Sequence, residues 1–266
     1  VTLRSLASGS AGNSLYVASA DGETRILIDA GLSFRKLRNR ISAAGLPALP
    51  GIKAVFVTHS HGDHIGKSGS GATCVERLIR EYGIRVYGTA PTLDAAGVRQ
   101  HPQAVTIGVR AEIEVGPLRV WAFPIRRHNA EECVNYRVYD GASKRTMLQC
   151  FETGAKPDGF DAWLPHADAL LIECNHEREY VVDNDKIPEI IAQRIIATHL
   201  SNPNAAAIVK QISERTKLVV ALHLSKENND PALVRVVLTK ALREIGREDV
   251  RVVIAGQDKP SEVLNL

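Results

Sequence analysis

Long apolar runs are missing from this chain of 266 residues. Nothing approaches the roughly 18 consecutive apolar residues that mark a membrane-spanning helix, so no membrane partner is expected. The opening stretch "VTLRSLASGSAGNS" lacks the apolar core of a secretory leader, and the expected location is cytoplasmic. Cysteine is scarce. Cys74, Cys133, Cys150 and Cys174 show no CxxC or finger-like spacing and read as reduced thiols in apolar contexts. An excess of one charge is missing too: 33 basic and 30 acidic residues leave +3. No polyanion-seeking surface follows globally, although a local basic stripe stays open. Repeats, low-complexity segments and Pro/Gly/Ser-rich linkers are absent, which predicts one domain over 1–266. The 44% hydrophobic and 24% charged content is that of an ordinary globular protein.

What is there is an α/β pattern. Strand-like runs occur at "LYVA", "TRILID", "AVFVT", "RVYG", "LRVWAFPI", "NYRVY", "RTMLQCF", "ALLIE", "KLVVALH" and "VRVVIA". Helical periodicity covers Phe34 to Ala44, Cys74 to Tyr82, Ile187 to Ile196, Asn204 to Arg215 and Pro231 to Ile245. Strands follow one another in the first half and alternate with helices in the second. The pattern predicts two packed sheets with helices on both flanks.

The densest chemistry lies in "VFVTHSHGDHIGK", Val55 to Lys67. An apolar strand ends and His59, Ser60, His61, Gly62, Asp63 and His64 follow at once. Of nine histidines in the chain, three fall here with an aspartate inside six residues. Polar groups crowded where a strand leaves the core are costly unless something satisfies them. A divalent cation does so, and His with Asp suits zinc, manganese or iron. His59 and His61 share a side by the two-residue alternation, while Asp63 and His64 start the next turn, which points to two adjacent metals. Two cations need about six or seven protein ligands. Later strand ends supply them: His128 after "WAFPI", Glu152 in "CFETG" and His223 in "VVALHLS". One histidine at a strand end reads as a structural residue. Six such residues in the same context favour a dinuclear site.

"THSHGDH", with Asp29 in "ILIDAG", His128, the "ETG" turn and His223, resembles the metallo-β-lactamase fold superfamily. "LASGSAGNSLYV", "LLIECNH", "ATHLSN" and "ALHLSKENN" resemble its YycJ (WalJ)-like exonuclease branch, related to RNase Z and the phosphodiesterases. The resemblance runs from about Leu3 to Asn229 and implies a four-layer αββα sandwich. It implies that His59, His61 and His128 hold one metal and that Asp63, His64 and His223 hold the other. The ions would be Zn2+ or Mn2+. The family's bridging aspartate is Glu152 here, a departure that lengthens the carboxylate by one methylene. Cys150 shares Glu152's side of the strand, as a soft ligand or as an inert buried thiol.

A hydroxide bridging the two metals is the implied nucleophile, oriented by Asp63. His199 in "ATHLSN" is the expected donor of a proton to the leaving oxygen, with His176 in "ECNHE" second. Substrate contacts are expected from Ser10 and Asn13, where "ASGSAGNS" offers amides to an anion, and from Asn175 and Ser225. Arg126, Arg127, Lys67 and Lys226 stand near ligands and can grip phosphate. Arg35, Lys36, Arg38 and Arg40 read as a solvated helix face, and His101 and His166 as surface residues. The implied partner is nucleic acid, and DNA exonuclease activity is the leading reading. Hydrolysis of small phosphodiesters or thioesters and non-catalytic binding at a degenerate site are the alternatives. Only 71 positions separate Glu152 from His223, too few for a β-CASP-type cap. The oligomeric state is not legible.

Overall fold

The structure, a computed structural model, describes residues 1–67, 69, 71–125 and 132–266. Arg126, Arg127 and His128 lie outside the described residues. The chain divides into two compact units: Val1–Phe123 with Glu131–Arg145 and Gly256–Asn265, and Pro124–Ala130 with Thr146–Ala255 and Leu266. In chain order the first holds β1 (Thr2–Ala7), β2 (Ser14–Ala18), β3 (Arg25–Ile28), α1 (Phe34–Ala43), β4 (Ala54–Phe56), α2 (Gly62–Ile65), α3 (Cys74–Tyr82), β5 (Arg85–Gly88), α4 (Ala90–Ala95), β6 (Ala104–Thr106), β7 (Glu112–Val115), β8 (Leu118–Pro124) and β9 (Val134–Asp140). The second holds β10 (Arg145–Cys150), β11 (Ala169–Glu173), α5 (Arg178–Val182), α6 (Glu189–Thr198), α7 (Asn202–Val209), β12 (Leu218–Leu222), α8 (Pro231–Glu244) and β13 (Arg251–Ile254). β14 (Leu264–Asn265) returns to the first.

Two seven-stranded sheets result. One lies within the first unit in the order β14-β1-β2-β3-β4-β5-β6. β1, β2 and β3 are antiparallel neighbours, whereas β3, β4, β5 and β6 run parallel. Parallel neighbours need crossovers, and α1, α3 and α4 supply them. Leu37, Ile41, Leu78 and Ile79 on two of those helices share one core with Leu27, Val55 and Val86. The start of α3 is fixed by Thr73, whose hydroxyl accepts from the Glu76 N–H at 3.0 Å, and its end by Gly83 at φ 65°.

In the second unit β10, β11, β12 and β13 form a parallel run in that order. β11 and β12 are buried along their whole length, as apolar strands of a parallel sheet must be. α8 begins where Asp230 accepts from the Ala232 N–H at 2.6 Å, with Pro231 in its first turn. One expectation fails: α7 stops at Val209 rather than running to Arg215. Arg215 is drawn to the buried Asp168 at 2.9 Å, and the Thr216 hydroxyl donates to Ala167 O at 2.8 Å. Those bonds feed the chain into β12 and end the helix early.

Candidate active site

Functional residues collect where strands end, and the backbone there is strained. Four non-glycine residues among those described have positive φ: Asp29 at 62°, Lys144 at 61°, Glu152 at 58° and His223 at 53°. Three of the four follow the ends of β3, β10 and β12 within two residues, and all three are candidate site residues. Side chains in this region cost about 1–3 kcal/mol and persist where surrounding bonds enforce them.

In the first unit β4 delivers Thr58 and His59, and α2 carries Asp63 and His64. Tyr136 of β9 donates to Val57 O at 2.8 Å, and the Val134 N–H to Thr58 O at 3.0 Å, so the strand exit is fixed from one side. From the other, the Asn13 and Ala30 amides donate to Asp63 O at 2.7 Å and His64 O at 3.0 Å. This approach needs glycine at 31, because a Cβ there would sit 1.6 Å from Asp63 O.

Asp29 is the hub of this set. Its buried carboxylate accepts from the Thr58 N–H at 2.8 Å and the Thr58 hydroxyl at 2.9 Å. It also lies 2.8 Å from His64 Nδ1. A carboxylate only accepts, so Nδ1 carries the proton and Nε2 is left as the donor atom. His59 Nδ1 is 3.0 Å from the Thr58 hydroxyl. The rings of His59 and His61 stand 4.7 Å apart and those of His59 and His64 4.0 Å apart. His59 and His64 are buried, while His61 and Asp63 are half-buried. The structure thus gathers these four residues on one turn.

The glycine–serine turn is tied to the motif through Asn13. Three of its amides are already used: Gly9 N–H donates to Asn13 Oδ1 at 2.8 Å, Gly12 N–H to Gly9 O at 2.9 Å and Asn13 N–H to Asp63 O. A nest for an anion needs those donors free. Asn13 is instead a positioning group, its amide 3.2 Å from Asp63 Oδ2 and 3.1 Å from His64 Nε2. Ser10 is exposed.

The second unit carries another cluster: donor atoms of Glu152, Glu173, His199 and His223 lie within 4.8 Å of one another. Glu173, at the end of β11, was not foreseen as a functional residue. It is fully buried and accepts from the Glu152 N–H at 3.0 Å and the Leu200 N–H at 2.9 Å. His223 Nδ1 is 2.7 Å and His199 Nδ1 2.8 Å from its Oε1. Burial opposes its ionisation, but the charge and hydrogen bonds of the two imidazoles outweigh that and hold the carboxyl below its usual range. The one available signal was a carboxylate closing the apolar run "ALLI". His223 Nδ1 also lies 2.9 Å from Glu152 Oε1, and His199 Nδ1 lies 3.9 Å from Glu152 Oε2.

The remaining expectations divide. Asn175 is buried, and its amide donates to His223 O at 2.9 Å, so it fixes the strained backbone of His223. Ser225 Oγ accepts from the Asn228 and Glu227 amides at 3.1 and 3.3 Å, as the cap of a turn. His176 is buried, and its Nδ1 has no hydrogen-bond partner among the described residues. Burial pushes its pKa down to about 4, which favours the neutral imidazole at neutral pH. Burial, and then the charges of Glu173 and Cys174, push the Cys150 thiol well up, which disfavours its thiolate. Lys67 and Lys226 are exposed. On α1 the face is solvated as expected at Arg35, Lys36 and Arg38, but Arg40 donates to Leu6 O and Gln257 O at 3.2 and 3.3 Å.

No helix among the described residues is long and apolar enough to cross a membrane. Residues 24–223 match the model of the beta-lactamase superfamily domain. Exodeoxyribonuclease YycJ of Bacillus anthracis is 31% identical over 91% of this chain and 89% of its own. Exodeoxyribonuclease WalJ of Streptococcus pneumoniae is 29% identical over 90% of this chain and 87% of its own. Among solved structures, Zn2+-bound PqqB from Methylobacterium extorquens aligns at a TM-score of 0.70 with 17% identity, covering 100% of both chains. With its two mixed sheets and their helices the fold is the α/β metallo-β-lactamase type that the motifs implied. The chain belongs to the beta-lactamase superfamily.

Proposed function

We propose that this chain is a metal-dependent exonuclease acting on DNA. One observation carries the hydrolytic part of the reading: His199 is half-buried and paired through Nδ1 with the buried carboxylate of Glu173, beside His223. A carboxylate so placed orients the imidazole through Nδ1 and leaves Nε2 to pass a proton to a leaving oxygen. Cleaving a phosphodiester expels a sugar alkoxide, which needs that proton. The choice of DNA rests on the two relatives whose names say exodeoxyribonuclease.

The donor chemistry fits divalent metals. His64 and His223 each have Nδ1 committed to a buried carboxylate, the arrangement that orients ligating imidazoles. In this reading His59, His61 and His128 would hold one ion and Asp63, His64 and His223 the other, with Glu152 as a further ligand. The assignment to one centre rests on family membership, as does treating 1–266 as one functional domain. Zn2+ or Mn2+ suits these donors. When bound, such ions would polarise a phosphoryl oxygen and lower the pKa of a water. Asp63, steadied by Asn13, would orient the attacking water. His199 then protonates the leaving oxygen, and Glu173 holds the imidazole in place. Four buried free thiols support a reducing, cytoplasmic setting.

The test is metal-loaded protein with end-labelled single- and double-stranded DNA and RNA, beside bis-p-nitrophenyl phosphate. Stepwise loss of nucleotides from a DNA end is expected. Turnover of the ester with no attack on any polymer would favour a small-substrate hydrolase instead. No turnover of either would favour a binding protein. Glu152 gives a separate expectation. Its longer side chain reaches His223 Nδ1, so Glu152→Asp should free the carboxylate, tighten the weaker metal and leave activity equal or higher. Titration by calorimetry checks this, and a weaker second equivalent would show that the loop is built around glutamate.

A further inference from the structure

A helix that is apolar over most of its surface is normally buried, and α6 is not. Its sequence "EIIAQRIIAT" holds four isoleucines, yet Thr198 is its one buried residue. Ile190 is 75% and Ile191 41% exposed; on the neighbouring α5, Tyr180 is 48% and Val182 63% exposed. These are four of the six large apolar side chains exposed among the described residues. Single exposed residues are ordinary, but a cluster on two touching helices marks an interaction surface.

The charges around the cluster narrow what covers it. Arg178, Glu179, Asp183, Asp185, Lys186, Glu189 and Arg194 are all exposed. None is in an ion pair among the described residues. Exposed charges elsewhere do pair, as in Arg77–Glu81, Arg99–Asp94 and Lys210–Glu244. Four carboxylates repel nucleic acid and anionic lipid, and one tyrosine is no platform for stacked bases. A nearly balanced rim of both signs suits a surface that meets itself.

We propose that the α5–α6 face binds a second copy of this chain in a two-fold contact, α6 running antiparallel to α6. Closed two-fold pairs are the commonest way soluble chains associate. An axis near Ala192 lets the small residue set a close approach. It brings the acidic start of one helix, at Glu189, toward Arg194 of the partner subunit, and the helix dipoles oppose. The isoleucines then leave water together, as the centre of an interface should.

Sedimentation velocity of the full chain over a dilution series tests this. The wild type should sediment as a dimer. Ile190→Glu should weaken the pair by about 30-fold or more, the effect of losing one central side chain. Circular dichroism should be unchanged because Ile190 is exposed. Glu189→Arg and Arg194→Glu should each weaken the dimer, and the double variant should restore it; if Ile190→Glu misfolds, this cycle decides alone. A monomer at every concentration would overturn the proposal. So would a dimer indifferent to all these changes, or a monomer that binds anionic vesicles through Ile190.

Discussion

His199→Ala should slow hydrolysis of a nucleic-acid end by about 10²–10⁴, the usual scale of general acid–base catalysis, and should leave metal content unchanged. The sugar alkoxide is a strong base and leaves poorly without a proton. Nitrophenolate leaves unaided, so the same variant should lose far less on p-nitrophenyl esters. The geometry behind this is the 2.8 Å bond from His199 Nδ1 to Glu173 Oε1, which leaves Nε2 to act. His199 also lies within the four-residue donor cluster, which makes metal content the deciding companion measurement. If His199→Ala sheds a metal, the residue is a ligand. If the two rate ratios are equal and the metals stay, it only packs beside the site. Unequal ratios with both metals retained identify the acid.

Protein purified without chelator should carry two equivalents of divalent metal by elemental analysis. His59→Ala and His223→Ala should each lose metal and activity together, down to background. Asp29→Asn, which alters the partner of His64 rather than a ligand, should cost about 10–100-fold in metal affinity, as loss of an orienting carboxylate does. That variant separates the hub from the ligands, because excess metal should restore its activity. A wild type that stays empty after incubation with zinc and manganese would sink the dinuclear reading.

Strands whose reason to form is local were legible. "ALLIE" and "RVYG" are apolar runs in buried positions, and β11 and β5 have those bounds. α3 was equally plain, because Thr73 and Gly83 punctuate it. β1, β6, β7 and β14 were missed: "EIEV" of β7 alternates between exposed and half-buried, and β14 is two residues paired with β1. The histidine and aspartate motif announced its chemistry through density. Glu173 did not, since its bonds reach 21 to 50 positions along the chain. Asn13 stood out in the small-residue turn, but its approach to Asp63 and His64 comes from packing across 50 and 51 positions. The positive φ values of Asp29, Glu152 and His223 left no mark in composition, because strain is a property of the surrounding bonds.

That strain has a consequence for the protein's life in the cell. Three side chains held in the left-handed region at about 1–3 kcal/mol each take up a sizeable part of the 5–15 kcal/mol by which a domain is stable. A ligand that binds only the folded state adds stability by mass action. Chains that have found their ions would therefore outlive chains that have not, with proteases clearing the unloaded fraction. Abundance, and not activity alone, would follow the supply of metal.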